Sequence, residues 1–277
     1  MKTIKINIKQ LVLILFFSII SFFIYFLIQI NDKSTKVVFC DVGQGDGAYI
    51  RIENKTDVVI DAGPDRSILS CLGKYMPFWD KEIELAFLSH ANKDHYQGFY
   101  FISDRYKIIN FITTESPFTT ITYKNLIKNL INKKVKIYYF FQGEKITVGK
   151  NNQFIIYWPK HGLKSSNDND YSQIMIFKHN DKSILFTGDA NSKIFNEVLA
   201  DNDFINNKIN IIKIPHHGSK YGINKIFLKV IKPDIAVISV GKNNPYGHPA
   251  KELIDLLKAL KIEIKRTDEN DDVIFNF

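Results

Sequence analysis

Ser89-His90-Ala91-Asn92-Lys93-Asp94-His95 sets two imidazoles and a carboxylate within six positions, directly after the strand-like run Ile83–Leu88. Neutral imidazole nitrogen and carboxylate oxygen are the donors that borderline divalent ions such as zinc or manganese accept. They converge only if the backbone turns sharply at the strand's C-terminal end. Three more apolar runs end in the same way. Leu185-Phe186-Thr187 leads into Gly188-Asp189, and Lys213-Ile214-Pro215 into His216-His217-Gly218-Ser219. Val237–Val240 leads into Gly241-Lys242-Asn243-Asn244-Pro245-Tyr246-Gly247-His248. Five of the seven histidines fall in these blocks; His161 and His179 remain, and both read as surface residues.

In order and type these blocks resemble the metallo-β-lactamase superfamily, whose motif is His-x-His-x-Asp-His followed by Gly-Asp and later histidines. More specifically they resemble the hydrolase domain of ComEC competence proteins. Asp41-Val42-Gly43-Gln44-Gly45-Asp46, Asp61-Ala62-Gly63, Asn169-Asp170-Tyr171-Ser172, Thr187-Gly188-Asp189, His216 to Ser219, Gly241 to Pro249 and Arg266-Thr267-Asp268 all match in order. The similarity runs from about Lys36 to Phe277. Three positions depart from the pattern: Asn92 replaces a His or Asp ligand, Phe99 replaces the second Gly, and Asn169–Ser172 replaces a His before the bridging Asp. The membrane-channel and oligonucleotide-binding regions of full ComEC proteins have no counterpart in these residues.

The resemblance implies an α/β (layered α+β) fold, the metallo-β-lactamase αββα sandwich, with a divalent metal site of one or two Zn or Mn ions at one edge. Asp189 would bridge, Asp94 and His95 would hold one ion, and His90 with a weak contribution from Asn92 the other. His217 is the choice for closing ligand, with His248 its competitor. Asp94, His216 and His248 are the catalytic candidates; whichever of the last two is not a ligand could protonate the leaving oxygen. Ser219, Lys242, Asn243 and Tyr246 could hydrogen-bond a phosphate. Asp41, Gln44, Asp46, Asp61 and Ser172 are expected to hold loops and orient the ligands, which metal-bound imidazoles require.

Strand-like runs recur from Val37–Val42 to Val273–Phe277, with helical patterns at Tyr123–Ile131, Ser192–Ala200, Lys225–Ile231 and Lys251–Leu260. This alternation favours a layered α/β arrangement in one domain. Asn151-Asn152 and Lys164–Asp170 read as loops. Leu11–Ile30 is apolar apart from Ser18, Ser21 and Gln29. As a helix it would run about 30 Å, the thickness of a bilayer's hydrocarbon core; the alternative is a cleaved signal peptide, whose apolar region is normally shorter, about 7–15 residues, with a small-residue cleavage site. The division expected is therefore residues 1–32, a cytoplasmic tail and one N-terminal transmembrane helix, and residues 33–277, the hydrolase domain. Lys2, Lys5 and Lys9 before the span set the tail inside and the domain outside the cell membrane. Cys40 lies in an apolar strand and reads as a buried thiol rather than half of a bridge.

The net charge of +8 carries little information about nucleic acid. Without the three tail lysines, 34 basic residues face 29 acidic ones, and only four are Arg. The function expected is a membrane-anchored extracytoplasmic metal-dependent phosphodiesterase or nuclease with DNA as substrate, serving DNA uptake beside a separate channel protein. The alternatives are hydrolysis of another surface ester, such as a phosphocholine or teichoic-acid phosphodiester, and a tethered DNA-binding partner with little activity.

Overall fold

The computed structural model describes residues 7–31 and 33–277, with side chains of the first helix described only through Ile24. Lys2 and Lys5 of the expected tail lie outside the described residues. Strands Lys36–Phe39 (β1), Gly47–Ile52 (β2), Thr56–Ala62 (β3), Glu82–Phe87 (β4), Lys107–Thr113 (β5) and Lys136–Tyr139 (β6) lie side by side in that order. Lys145–Val148 (β7), Asn152–Trp158 (β8), Ile174–His179 (β9), Lys182–Phe186 (β10), Ile211–Lys213 (β11), Ile235–Ile238 (β12) and Glu263–Arg266 (β13) build a second sheet. The last strand, Val273–Asn276 (β14), returns to pair antiparallel with β1.

Each sheet begins antiparallel and becomes parallel, from β3 to β6 in the first and from β10 to β13 in the second. Parallel neighbours require crossover connections, so their C-terminal ends share one end of the sheet. The segments after β3, β4, β10, β11 and β12 therefore open toward one region. Between the sheets lies an aromatic layer in which Phe39 and Phe186 stand 5.6 Å apart and Phe87 and Phe154 5.0 Å. A second apolar layer packs helices Ile68–Tyr75, Gly98–Arg105 and Ile121–Asn132 onto the first sheet. A third packs Ser192–Leu199, Lys225–Ile231 and Lys251–Ala259 onto the second. The result is the αββα sandwich that the sequence resemblance implies.

The N-terminal helix α1 covers Ile8–Asn31 and contains the apolar run Leu11–Ile30. Among the described residues no helix is long and apolar enough to cross a membrane.

Two readings from sequence are corrected. Cys40 and Cys71 form a disulfide rather than buried free thiols. Helix α2, Ile68–Tyr75, turns Cys71 inward beside the end of β1, with the two Cα atoms 5.8 Å apart, within reach of a bridge. His179 is buried, not a surface residue: it lies opposite Asn152 in the β8–β9 ladder, and its Nδ1 is 2.6 Å from Asn152 Oδ1. Asn152 itself, expected in a loop, opens β8 and is fully buried.

The bridge closes a loop over a sequence separation of 31. Constraining a loop of that size stabilises a fold by about 3–4 kcal/mol. Mild reductant is therefore expected to lower the thermal midpoint by roughly 10 °C in a domain of this size. A calorimetric scan with and without reductant checks it; coincident midpoints would contradict the contribution.

Candidate metal centre

The first ligand-bearing segment is positioned from β3. Asp61, in the left-handed region at φ +54, accepts from the backbone N–H of Ser89 at 2.7 Å and from His95 Nδ1 at 2.9 Å. Fixing Nδ1 in this way aims His95 Nε2 inward. The one-turn helix α3, Lys93–Tyr96, carries Asp94 and His95 together. The turn that follows needs Gly98, where a Cβ would come 1.8 Å from the Ala62 carbonyl oxygen. Asp189 arrives at the end of β10, its N–H donating to Ser172 Oγ at 3.1 Å.

His216 and His217 both take left-handed backbone, φ +52 and +53. For residues with a Cβ this costs about 1–2 kcal/mol each. The loop is held by the Ala250 N–H donating to the Gly218 carbonyl at 2.9 Å. His217 Nδ1 then lies 3.0 Å from the Ser239 carbonyl, and its Nε2 3.1 Å from Asp94 Oδ2 and 3.5 Å from Asp189 Oδ2.

Donor atoms of Asp94, His95, Asp189 and His217 consequently lie within 4.8 Å of one another, and the last three residues are buried. His95 Nε2 and Asp189 Oδ1 are buried without a hydrogen-bond partner, although only 3.3 Å apart. Unsatisfied buried polar atoms are costly, and a convergent set of two imidazoles and two carboxylates is a divalent-metal ligand set. The residues fit such an ion.

Charge inside the cluster is finely opposed. Burial disfavours a proton on His95, but the carboxylates of Asp189, Asp61 and Asp46 outweigh it and hold its pKa well above the usual value. Burial acts likewise on His217, yet Asp189 and Asp46 push it up to about 10. Burial would raise Asp94, but His95 and His217 bring it down to about 2. Burial and then the neighbouring His95 push His90 down to about 3, so His90 is neutral. A divalent ion at the centre would replace the protons on His95 and His217, so its binding releases protons.

The other expected residues divide by position. The His90 ring lies 4.3 Å from that of His95, tilted 60° to it, with Nε2 buried and unpartnered, yet it stands outside the four-donor set. Asn92 turns its amide to Asn169 Oδ1 at 3.2 Å, while Asn169 Nδ2 is 3.4 Å from His216 Nδ1. His216, His248 and Tyr246 line up at the rim, with centroids 5.8 Å and 6.0 Å apart in turn. Burial, then the facing His216 and His217, lowers the His248 pKa. Ser219 is buried and its Oγ accepts from the Tyr221 N–H at 3.3 Å, which makes it a turn residue. Lys242 and Asn243 are exposed, and it is Asn244 that ties the rim loop, accepting from the Tyr246 and His248 N–H groups. Asp41 accepts from the Gly43 N–H at 3.1 Å and stays in its own turn. Gln44 accepts from the Gly241 N–H at 3.0 Å, joining the first loop to the last.

Two contributors stand in the sequence blocks without a role assigned to them there. Ser89 Oγ lies 3.1 Å from His90 Nδ1 and 3.3 Å from His95 Nδ1. Lys213, fully inside the protein at the end of β11, pairs with Asp46 Oδ2 and donates to the Gly188 carbonyl at 3.0 Å. Asp46 Oδ1 in turn is 3.3 Å from His217 Nδ1.

Fold and donor set together define a metallo-β-lactamase-fold protein with a candidate divalent-metal centre. The solved metallo-β-lactamase fold protein YhfI from Bacillus subtilis superposes with a TM-score of 0.58 at 12% identity, over 87% of this chain and 99% of that one. In sequence the chain is 26% identical over 272 residues to ComE operon protein 3 of Bacillus subtilis, covering 92% of this chain and 34% of that protein. It is 27% identical over 256 residues to Recombination protein 2 of Haemophilus influenzae, covering 90% of this chain and 30% of that protein. Its homologues over most of its length are thus ComEC-family proteins, and over 105 residues, 38% of its length, it is 30% identical to the competence protein ComA of Neisseria gonorrhoeae. The chain spans about a third of the length of the first two of these curated relatives. No protein-family model matches it.

Proposed function

We propose that this chain is an extracytoplasmic, membrane-anchored, metal-dependent phosphodiesterase that cleaves DNA in competence. The observation that carries the reading is the four-donor cluster of Asp94, His95, Asp189 and His217 in a homologue of competence proteins. These four residues would hold one divalent ion, and His90 is the neutral imidazole nearest to a second position. Such an ion supplies Lewis-acid polarisation of a phosphoryl oxygen and acidifies water. Asp61 and the Ser239 carbonyl keep the imidazoles turned inward by holding their Nδ1 atoms. His216 and His248, 5.8 Å apart at the rim, would be the groups to protonate a leaving oxygen, and exposed Lys242 would be available to a phosphate.

The outside location is supported by the Cys40–Cys71 disulfide, since bridges persist in oxidising compartments. The anchor is supported by the sequence alone, where Leu11 to Ile30 carries no charged residue. A separate channel protein would move the strand.

The test is incubation of the full chain, stripped of metal, with single- and double-stranded DNA and with a small phosphodiester. Cleavage of DNA restored by manganese or zinc and abolished by chelator is expected. Intact DNA beside a hydrolysed small diester would move the substrate to another surface ester. DNA retained uncut in chelator and metal alike would make the chain a binding module.

A further inference from the structure

Phe78 and Trp79 are the sharpest anomaly on the domain's surface. Adjacent in the turn between α2 and β4, they are 81% and 60% exposed, with their rings edge-to-face at 4.8 Å. Isolated exposed apolar side chains are ordinary, but a paired Phe-Trp tip sheds a large apolar area into water. The turn is firmly held: the Asp80 N–H donates to the Pro77 carbonyl at 2.9 Å, and Asp80 pairs with Arg51 of β2 at 3.1 Å.

The tip stands at a particular end of the molecule. Together with Ser34, Lys36 and Lys74 it lines a groove of about 350 Å³. Ser34 follows the end of α1 at Asn31 by three residues, a chain length of at most about 11 Å. The domain is already fixed there, because the Ser34 carbonyl accepts from the Asn54 N–H at 3.1 Å. Exposed Lys33, Lys55 and Lys81 surround the same end. This is where β3 and β4 begin, whereas the metal centre lies where they finish. From Thr56 to Asp61 the strand rises about 17 Å.

We infer that Phe78 and Trp79 dock into the interfacial layer of a phospholipid surface, fixing the domain with its metal centre facing away from the membrane. Trp rings settle at headgroup level, with an apolar body inward and a polar N–H outward. The surrounding lysines suit anionic headgroups, whose negative surface potential attracts cationic side chains within a Debye length. The inference rests on the anchored placement proposed above, which brings this end of the sheet to the bilayer.

The chain contains two tryptophans, and Trp158 is 3% exposed with its Nε1 donating to the Asp170 carbonyl. Full chain is therefore reconstituted in phosphatidylglycerol–phosphatidylcholine vesicles with brominated acyl chains, beside a Trp79→Phe variant. The expected result is strong quenching of the wild-type emission relative to unbrominated vesicles, with the residual emission of Trp79→Phe unaffected. A chain that stays with the vesicles through carbonate extraction but shows no Trp79 quenching overturns the docking and leaves the anchor standing. A chain released by carbonate yet quenched at neutral pH overturns the anchor and keeps the docking. Release without quenching overturns both.

Discussion

Asp189→Asn is expected to lower affinity for manganese or zinc by more than about 100-fold, because losing a residue that merely orients a ligand already costs 10–100-fold. Asp189 is the residue on which the cluster converges: one oxygen is 3.3 Å from His95 Nε2 and the other 3.5 Å from His217 Nε2. Burial would raise its pKa, but His217 and His95 hold it well below the usual range, so it is a full carboxylate. An amide keeps its volume while removing the charge a divalent ion needs. Titration calorimetry on metal-stripped chain gives the affinity directly. A thermal shift gives a second readout, since metal at 100 times its dissociation constant stabilises the wild type by about 2.7 kcal/mol. That shift should disappear in Asp189→Asn while the metal-free midpoint stays measurable. Asp61→Asn, which alters the carboxylate that accepts from His95 Nδ1 and the Ser89 N–H, should fall in the milder 10–100-fold range. Wild-type affinity in Asp189→Asn would remove this residue from the centre.

The strand ends that carry Asp94, His95, Asp189 and His217 were legible because chemistry-bearing types followed apolar runs of β-branched and aromatic residues. Periodicity also found most elements within a residue or two. It passed over β7, whose four residues alternate between half-buried and exposed at a sheet edge, and the helices α2 and Gly98–Arg105, where Gly73 and Gly98 weaken the helical signal. Missing α2 also hid the disulfide, since nothing else brings Cys71 beside β1. Asn92 stands out as a departure from the motif, yet only the folded chain reveals its partner, Asn169, which comes from the 3-10 turn Asp168–Tyr171, 77 residues away. His179 misled for a related reason: the strand that buries it is fixed by pairing rather than by local pattern.

Lys213 is the position where sequence was silent and the energetic stakes are high. In the block Lys213–Ser219 it reads as the polar start of a strand end, and its neighbours His216 and His217 draw the attention. In the structure it is 3% exposed and is the cation that acts most strongly on Asp46, whose carboxyl it holds below the usual range against burial. It also stands 3.8 Å from Asp189 Oδ1. Lys213→Met leaves two buried carboxylates short of their cation, and breaking a buried pair from one side costs about 3–5 kcal/mol. Because the folded pKa of Asp46 is depressed, its contribution is present above the unfolded carboxylate range and fades as pH falls through the folded value. In Lys213→Met that contribution shrinks even at neutral pH, so the urea midpoint should drop sharply at pH 7 and less at acid pH. Asp46→Asn added to Lys213→Met should recover part of the loss, the two sites coupling by 1 kcal/mol or more, on the order expected for contacting residues. Urea unfolding of the two single variants and the double variant measures that coupling, and strictly additive losses would mean that Lys213 and Asp46 do not support each other.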